Sequence, residues 1–78
     1  MTTEAIRLGR RAGRIVHVDL GKMFAFIRPD GGGEDVFVGR RIVETLALVH
    51  GERVEYAPVV GGIGRRPFAA DVKRVSES

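Results

Sequence analysis

Between Lys22 and Gly39 the chain alternates, yet both alternations are apolar. Met23, Ala25, Ile27, Val36 and Val38 occupy one parity, and Phe24, Phe26 and Phe37 the other. Alternation of this kind predicts strands with two distinct faces. One face is core, and the aromatic face needs a separate explanation.

Glycine and proline divide the rest of the chain into short apolar segments of strand type. "GRIVHVD" at 13–19 is read as a first strand, "LGK" as a turn, and 22–28 as a second strand. "PDGGGE" supplies permissive glycines for a hairpin loop before a third strand at 34–39. "RIVETLAL" at 41–48 lacks turn residues and predicts a short helical turn, which "HG" ends. "ERVEYAP" is a fourth strand, "VVGGIGRR" a glycine-rich connection, and "PFAADVKRV" a fifth strand with Pro67 at its first position, where a missing amide is tolerated. Residues 1–12 are expected to be a flexible basic tail and 76–78 a second tail, which leaves 13–75 as one domain.

Five short strands in so few residues predict a small all-β barrel, closed or partly closed. One side-chain parity fills an interior that small, so the other points outward. Burying both parities would require a covering layer, which a chain of 78 residues without further helices has little means to supply. Phe24, Phe26 and Phe37 are therefore expected on the surface, flanked by Lys22, Arg28 and Arg40. Aromatic rings in a basic setting form a stacking platform, because every base has a π-face and each stacked base contributes roughly 1 to 3 kcal/mol.

Charge is compatible with that reading. Thirteen Lys and Arg against ten Asp and Glu give a formal net charge of +3 and an isoelectric point near 10.2, which suits nucleic acid or acidic partners. The positives cluster as Arg7, Arg10, Arg11 and Arg14, then Arg40 and Arg41, then Arg65 and Arg66. An ordinary solvated basic surface would explain any one cluster. No cysteine is present, and only His17 and His50 offer imidazole, so neither a disulfide nor a metal is expected to staple the fold, and no cofactor is expected. Lack of cysteine fits a reducing compartment. No run of eighteen apolar residues occurs, and the first dozen residues are too polar for a signal peptide. A soluble, cytoplasmic monomer without membrane contact is the expectation.

Enzymatic readings find little support. "GGIGRRP" lacks the Lys and Ser or Thr of a phosphate-binding loop and precedes a strand instead of opening a helix. The only serines, Ser76 and Ser78, lie in the expected tail, so no nucleophile, base and orienting group can be assembled. No catalytic residue is assigned, and His50 beside Gly51 is read as a surface residue at a turn.

From Gly13 to Val75 the chain resembles a bacterial cold-shock domain, a five-stranded antiparallel OB-fold barrel that binds single-stranded RNA and DNA. "KMFAFI" at 22–27 is similar to that family's first ribonucleoprotein motif, KGFGFI. "DVFVGR" at 35–40 is similar to its second, DVFVHF, and "RPFAADV" at 66–72 to its GPxAxNV. The resemblance implies stacking by Phe24, Phe26 and Phe37, a phosphate contact from Lys22, a base-edge hydrogen bond to Asp35, and a basic contact from Arg65 just before the last strand.

Departures from the family pattern shape the expectation further. His17 and Val18 stand where the family has a surface Trp and a Phe; Gly39 and Arg40 stand where it has His and Phe. His17 stacks when neutral, and Arg40 stacks through its guanidinium plane, so a smaller aromatic surface with a larger electrostatic share and poor base preference is expected. Met23 and Ala25 replace two motif glycines and are read as packing changes on the strand. Two functions follow. One is single-stranded nucleic-acid binding, as an RNA chaperone or transcription antiterminator. The alternative is a protein-interaction module, with the reduced platform turned into an interface on RNA polymerase or the translation machinery, including the ribosome. Resemblance to the small OB-fold initiation factor extends only to the barrel.

Overall fold

The computed structural model describes residues 6–7, 9–61 and 66–75. Its elements in chain order are β1 (Ile6–Arg7), β2 (Arg11–Asp19), β3 (Phe24–Pro29), β4 (Val36–Val38), α1 (Arg40–Leu46), β5 (Arg53–Val60) and β6 (Phe68–Arg74). Antiparallel pairs β2–β3, β3–β4, β2–β5 and β5–β6, with a parallel β4–β6 pair, close five strands into a barrel. The helix lies between the third and fourth barrel strands, so the architecture is an all-β, OB-like barrel.

The β2–β3–β4 meander follows from local signals. Gly32 and Gly33 hold φ of 88° and 101° in the loop after Pro29, a conformation that glycine adopts without steric cost. Gly13 is required for another reason. A Cβ at this position would lie 2.6 Å from both the carbonyl oxygen of Arg28 and Cγ2 of Ile27, so β2 approaches β3 too closely for any side chain.

The interior is filled by the predicted parity. Ile15, Ala25, Ile27, Val38, Val54 and Tyr56 are fully buried, joined by Val36, Ala69 and Val72. Val43 of α1 and Leu48 just after it seal the barrel. The helix begins after Gly39 and ends at Ala47, whose φ of 50° turns the chain while its N–H donates to the Val43 carbonyl.

Two irregularities set side-chain direction. Ile15 pairs with Ile27, but His17, and not Val16, pairs with Phe26; the extra residue is a bulge that reverses parity along β2. In β6, Ala70 pairs with Ala57 and Lys73 with Glu55, and Asp71 sits inside that interval at φ 51°.

Several expectations are corrected. The residues before Gly13 are not uniformly outside the barrel: Arg11 and Ala12 belong to β2 and pair with Tyr56 and Glu55, and Ile6 and Arg7 pair with Val60 and Val59. β5 runs on through Val59 and Val60, and its free edge there takes up the incoming chain. Met23 does not lie on a strand; it ends the turn at φ 57°, and β3 starts one residue later. The third strand is shorter than read, Val36–Val38. Residues 1–5 and 8 of the expected N-terminal tail, residues 76–78, and Arg65 in the glycine-rich connection lie outside the described residues.

Candidate nucleic-acid interface

On β3, full burial of Ala25 and Ile27 forces Phe24, Phe26 and Arg28 onto the opposite, outer parity. On β4, burial of Val36 and Val38 does the same for Phe37, which is directly paired with Phe26. The rings form one connected cluster. Centroids of Phe24 and Phe26 lie 5.8 Å apart and nearly perpendicular, those of Phe26 and Phe37 also 5.8 Å apart, and Phe24 stacks against Phe37 at 6.0 Å. These are favourable offset and edge-to-face spacings. All three rings are half-buried by one another, and none belongs to the barrel core.

The β2 bulge brings a fourth ring. Strict alternation from Ile15 would send His17 inward; the bulge turns it out, 5.8 Å from Phe24 and 6.2 Å from Phe26. Val18 takes the inward position and packs against the core.

The predicted cations have different surroundings. Lys22 is exposed on the turn before β3, where its backbone N–H donates to Asp19 Oδ1 at 2.9 Å. Arg28 lies 3.5 Å from Asp35, so two predicted contact residues pair with each other. Arg40, at the start of α1, lies 3.7 Å from Glu44 one turn on. Both pairs are exposed, and exposed pairs contribute little and yield readily to a competing anion.

Other residues come to this face that the sequence reading left out. The Arg66 guanidinium sits 5.3 Å above the Phe26 ring, within cation–π range. Phe68, whose Cα pairs in parallel with that of Phe37, is 44% exposed. Together with Arg41 they border an open groove of ≈ 760 Å³ beside Phe26 and Phe37. Alternation with buried Ala69 was a signal for Phe68 facing outward. Nothing local placed β6 beside β4, because that contact is the long-range closure of the barrel.

Elsewhere, Arg14 stands in the ladder between Arg28 on β3 and Arg53 on β5, extending positive charge sideways from the rings. Its side chain donates to the Gly51 carbonyl at 3.0 Å, and Arg53 pairs with Asp30 at 2.7 Å. Inside the barrel, Tyr56 is fully buried and its hydroxyl has no hydrogen-bond partner among the described residues. Burial pushes its phenol above the usual value, with Arg11 opposing the shift and Asp30 reinforcing it.

No group of three His, Asp or Glu side chains is placed to hold a metal ion among the described residues, and no helix among them is long and apolar enough to cross a membrane. No family model matches the chain, and no curated protein matches it either.

Proposed function

We propose that this protein binds single-stranded RNA or DNA on the outer face of β2, β3 and β4. The observation that carries the proposal is the connected cluster of His17, Phe24, Phe26 and Phe37 with Arg66 over its centre. Unpaired bases stack on the rings, while Lys22, Arg66 and Arg41 take the phosphates between them. The strands beneath are fixed by the barrel, so the rings are held in place before a ligand arrives, which limits the ordering cost of binding. Stacking of this sort tolerates any base and excludes a paired partner strand, which suits an RNA chaperone or antiterminator. Similarity of the three motifs to the cold-shock domain supports the same reading.

A second reading follows from the Arg28–Asp35 and Arg40–Glu44 pairs. They engage three of the predicted contacts, Arg28, Asp35 and Arg40, as a face turned toward another protein would allow.

Fluorescence anisotropy with labelled oligothymidine and a mixed-sequence RNA separates the two. Nucleic-acid binding predicts saturable titrations for both ligands, weakened by roughly 1 to 3 kcal/mol in each of Phe24→Ala, Phe26→Ala and Phe37→Ala, with unfolding still cooperative. Absence of saturable binding by the wild-type protein would reject it.

A further inference from the structure

We propose that the groove between β4, the first turn of α1 and β6 is an additional nucleotide site, in which Phe68 supplies the stacking face and Arg41 and Arg66 hold the phosphates. The inference rests on the nucleic-acid reading and extends the site beyond the four rings.

The shape of the groove comes from small residues. Gly39 has no side chain and Ala69 only a methyl, so the floor between Phe37 and Ile42 stays open, with a volume of ≈ 760 Å³, within the usual range for small-ligand pockets. Phe68 is one of three large hydrophobic side chains exposed among the described residues, the others being Leu20 and Val49, and the only aromatic one of the three. Its strand neighbour Phe37 belongs to the ring cluster, so adjacent-strand spacing of about 4.8 Å makes the Phe68 backbone the next step of the same surface.

The charge around the groove selects the occupant. No carboxylate lines it. Arg66 has Glu34 only at 4.0 Å, and Arg41 is exposed with no ion-pair partner among the described residues. An apolar floor with two cations at its edge suits a ligand that is flat and aromatic at one point and anionic at the next. A nucleotide has that character, and a strand already stacked on Phe26 and Phe37 delivers the next one to the groove.

The test measures affinity against oligothymidine length, from three to nine nucleotides, for wild type, Phe68→Ala and Phe68→Leu. Stacking in the groove predicts a loss of roughly 5- to 150-fold for the longest oligomers in both variants and a plateau reached about one nucleotide sooner. Arg41→Gln should flatten the salt dependence by somewhat under one unit of log–log slope. Should the variants fold poorly, amide chemical-shift mapping on the wild-type protein decides: the long oligomer must shift Phe68, Arg41 and Ala69. Wild-type affinities within twofold for both Phe68 variants, or unmoved Phe68 and Arg41 amides alongside shifted Phe26, would overturn the groove and leave the platform standing. A wild-type protein that binds no oligomer of any length would overturn both.

Discussion

His17 faces Phe26 across the β2–β3 ladder, one residue out of step with the Ile15–Ile27 pair beside it. That offset decides what the outer surface is made of. A bulge at this point adds one residue and reverses the parity, so an imidazole that regular alternation would bury unpaired joins the phenylalanines instead. The neighbouring apolar Val18 fills the interior in its place.

Because His17 is exposed and already in contact with two rings, a larger flat side chain has room there. His17→Trp should strengthen single-strand binding about tenfold, within the range of one good stacking contact, and should shift the melting temperature by only a few degrees. The chain has no other tryptophan, so quenching of the new indole by oligonucleotide reads the effect directly. An unquenched indole, or unchanged affinity, would place position 17 outside the binding surface.

Met23 tests the backbone. It packs partly against the core yet holds φ 57°, a left-handed conformation that costs a residue with a Cβ roughly 1 to 2 kcal/mol. Met23→Ala loses the packing and keeps the strain, whereas Met23→Gly loses the packing and relieves it. The glycine variant should therefore be more stable than the alanine variant by about 1 kcal/mol, the reverse of the usual order in regular structure. Urea midpoints of the two variants provide the comparison.

This residue also marks where the sequence stopped being informative. Alternation placed Ala25, Ile27, Val36 and Val38 inside and Phe24, Phe26 and Phe37 outside, because a period-two pattern on a small barrel leaves few other arrangements. It starts the strand two residues too early, at Lys22 instead of Phe24, since a left-handed turn at Met23 leaves no mark on the hydrophobic pattern when the residue is not glycine. Ile6 and Arg7 look like tail in the sequence because their pairing with Val60 and Val59 depends on an edge more than fifty residues away. Phe68 and Arg66 are visible in the sequence as part of "RPFAADV" but not as neighbours of the rings, for the same reason. Both reach the aromatic face only through the parallel β4–β6 contact, and local pattern holds no information about which strand closes a barrel.

Tyr56 links the core to pH. Its hydroxyl is buried without a partner, so Tyr56→Phe removes a desolvated polar group and should stabilise the domain by roughly 1 kcal/mol at neutral pH. The folded state holds the phenol proton more tightly than the unfolded chain does, because burial raises the pKa from its usual 10. Once pH exceeds that unfolded value the unfolded state loses the proton first, and stability falls with further rise in pH. Thermal melts of wild type should decline on that alkaline side more steeply than those of Tyr56→Phe. Parallel declines would show that other groups govern the alkaline limit.

The claim that bases stack on the ring cluster is tested most directly by the salt dependence of oligothymidine binding in wild type and Phe26→Ala. Lys22, Arg41 and Arg66 are the cations proposed to meet the phosphates, so about three neutralised phosphates should give a log–log slope of roughly −2. Truncating Phe26, which touches His17, Phe24 and Phe37 and lies under Arg66, removes a contribution that salt does not screen. The account predicts two nearly parallel lines about tenfold apart, with wild-type binding still measurable at high salt. Coincident lines that both vanish at moderate salt would mean that the phenylalanines take no part, and would contradict it.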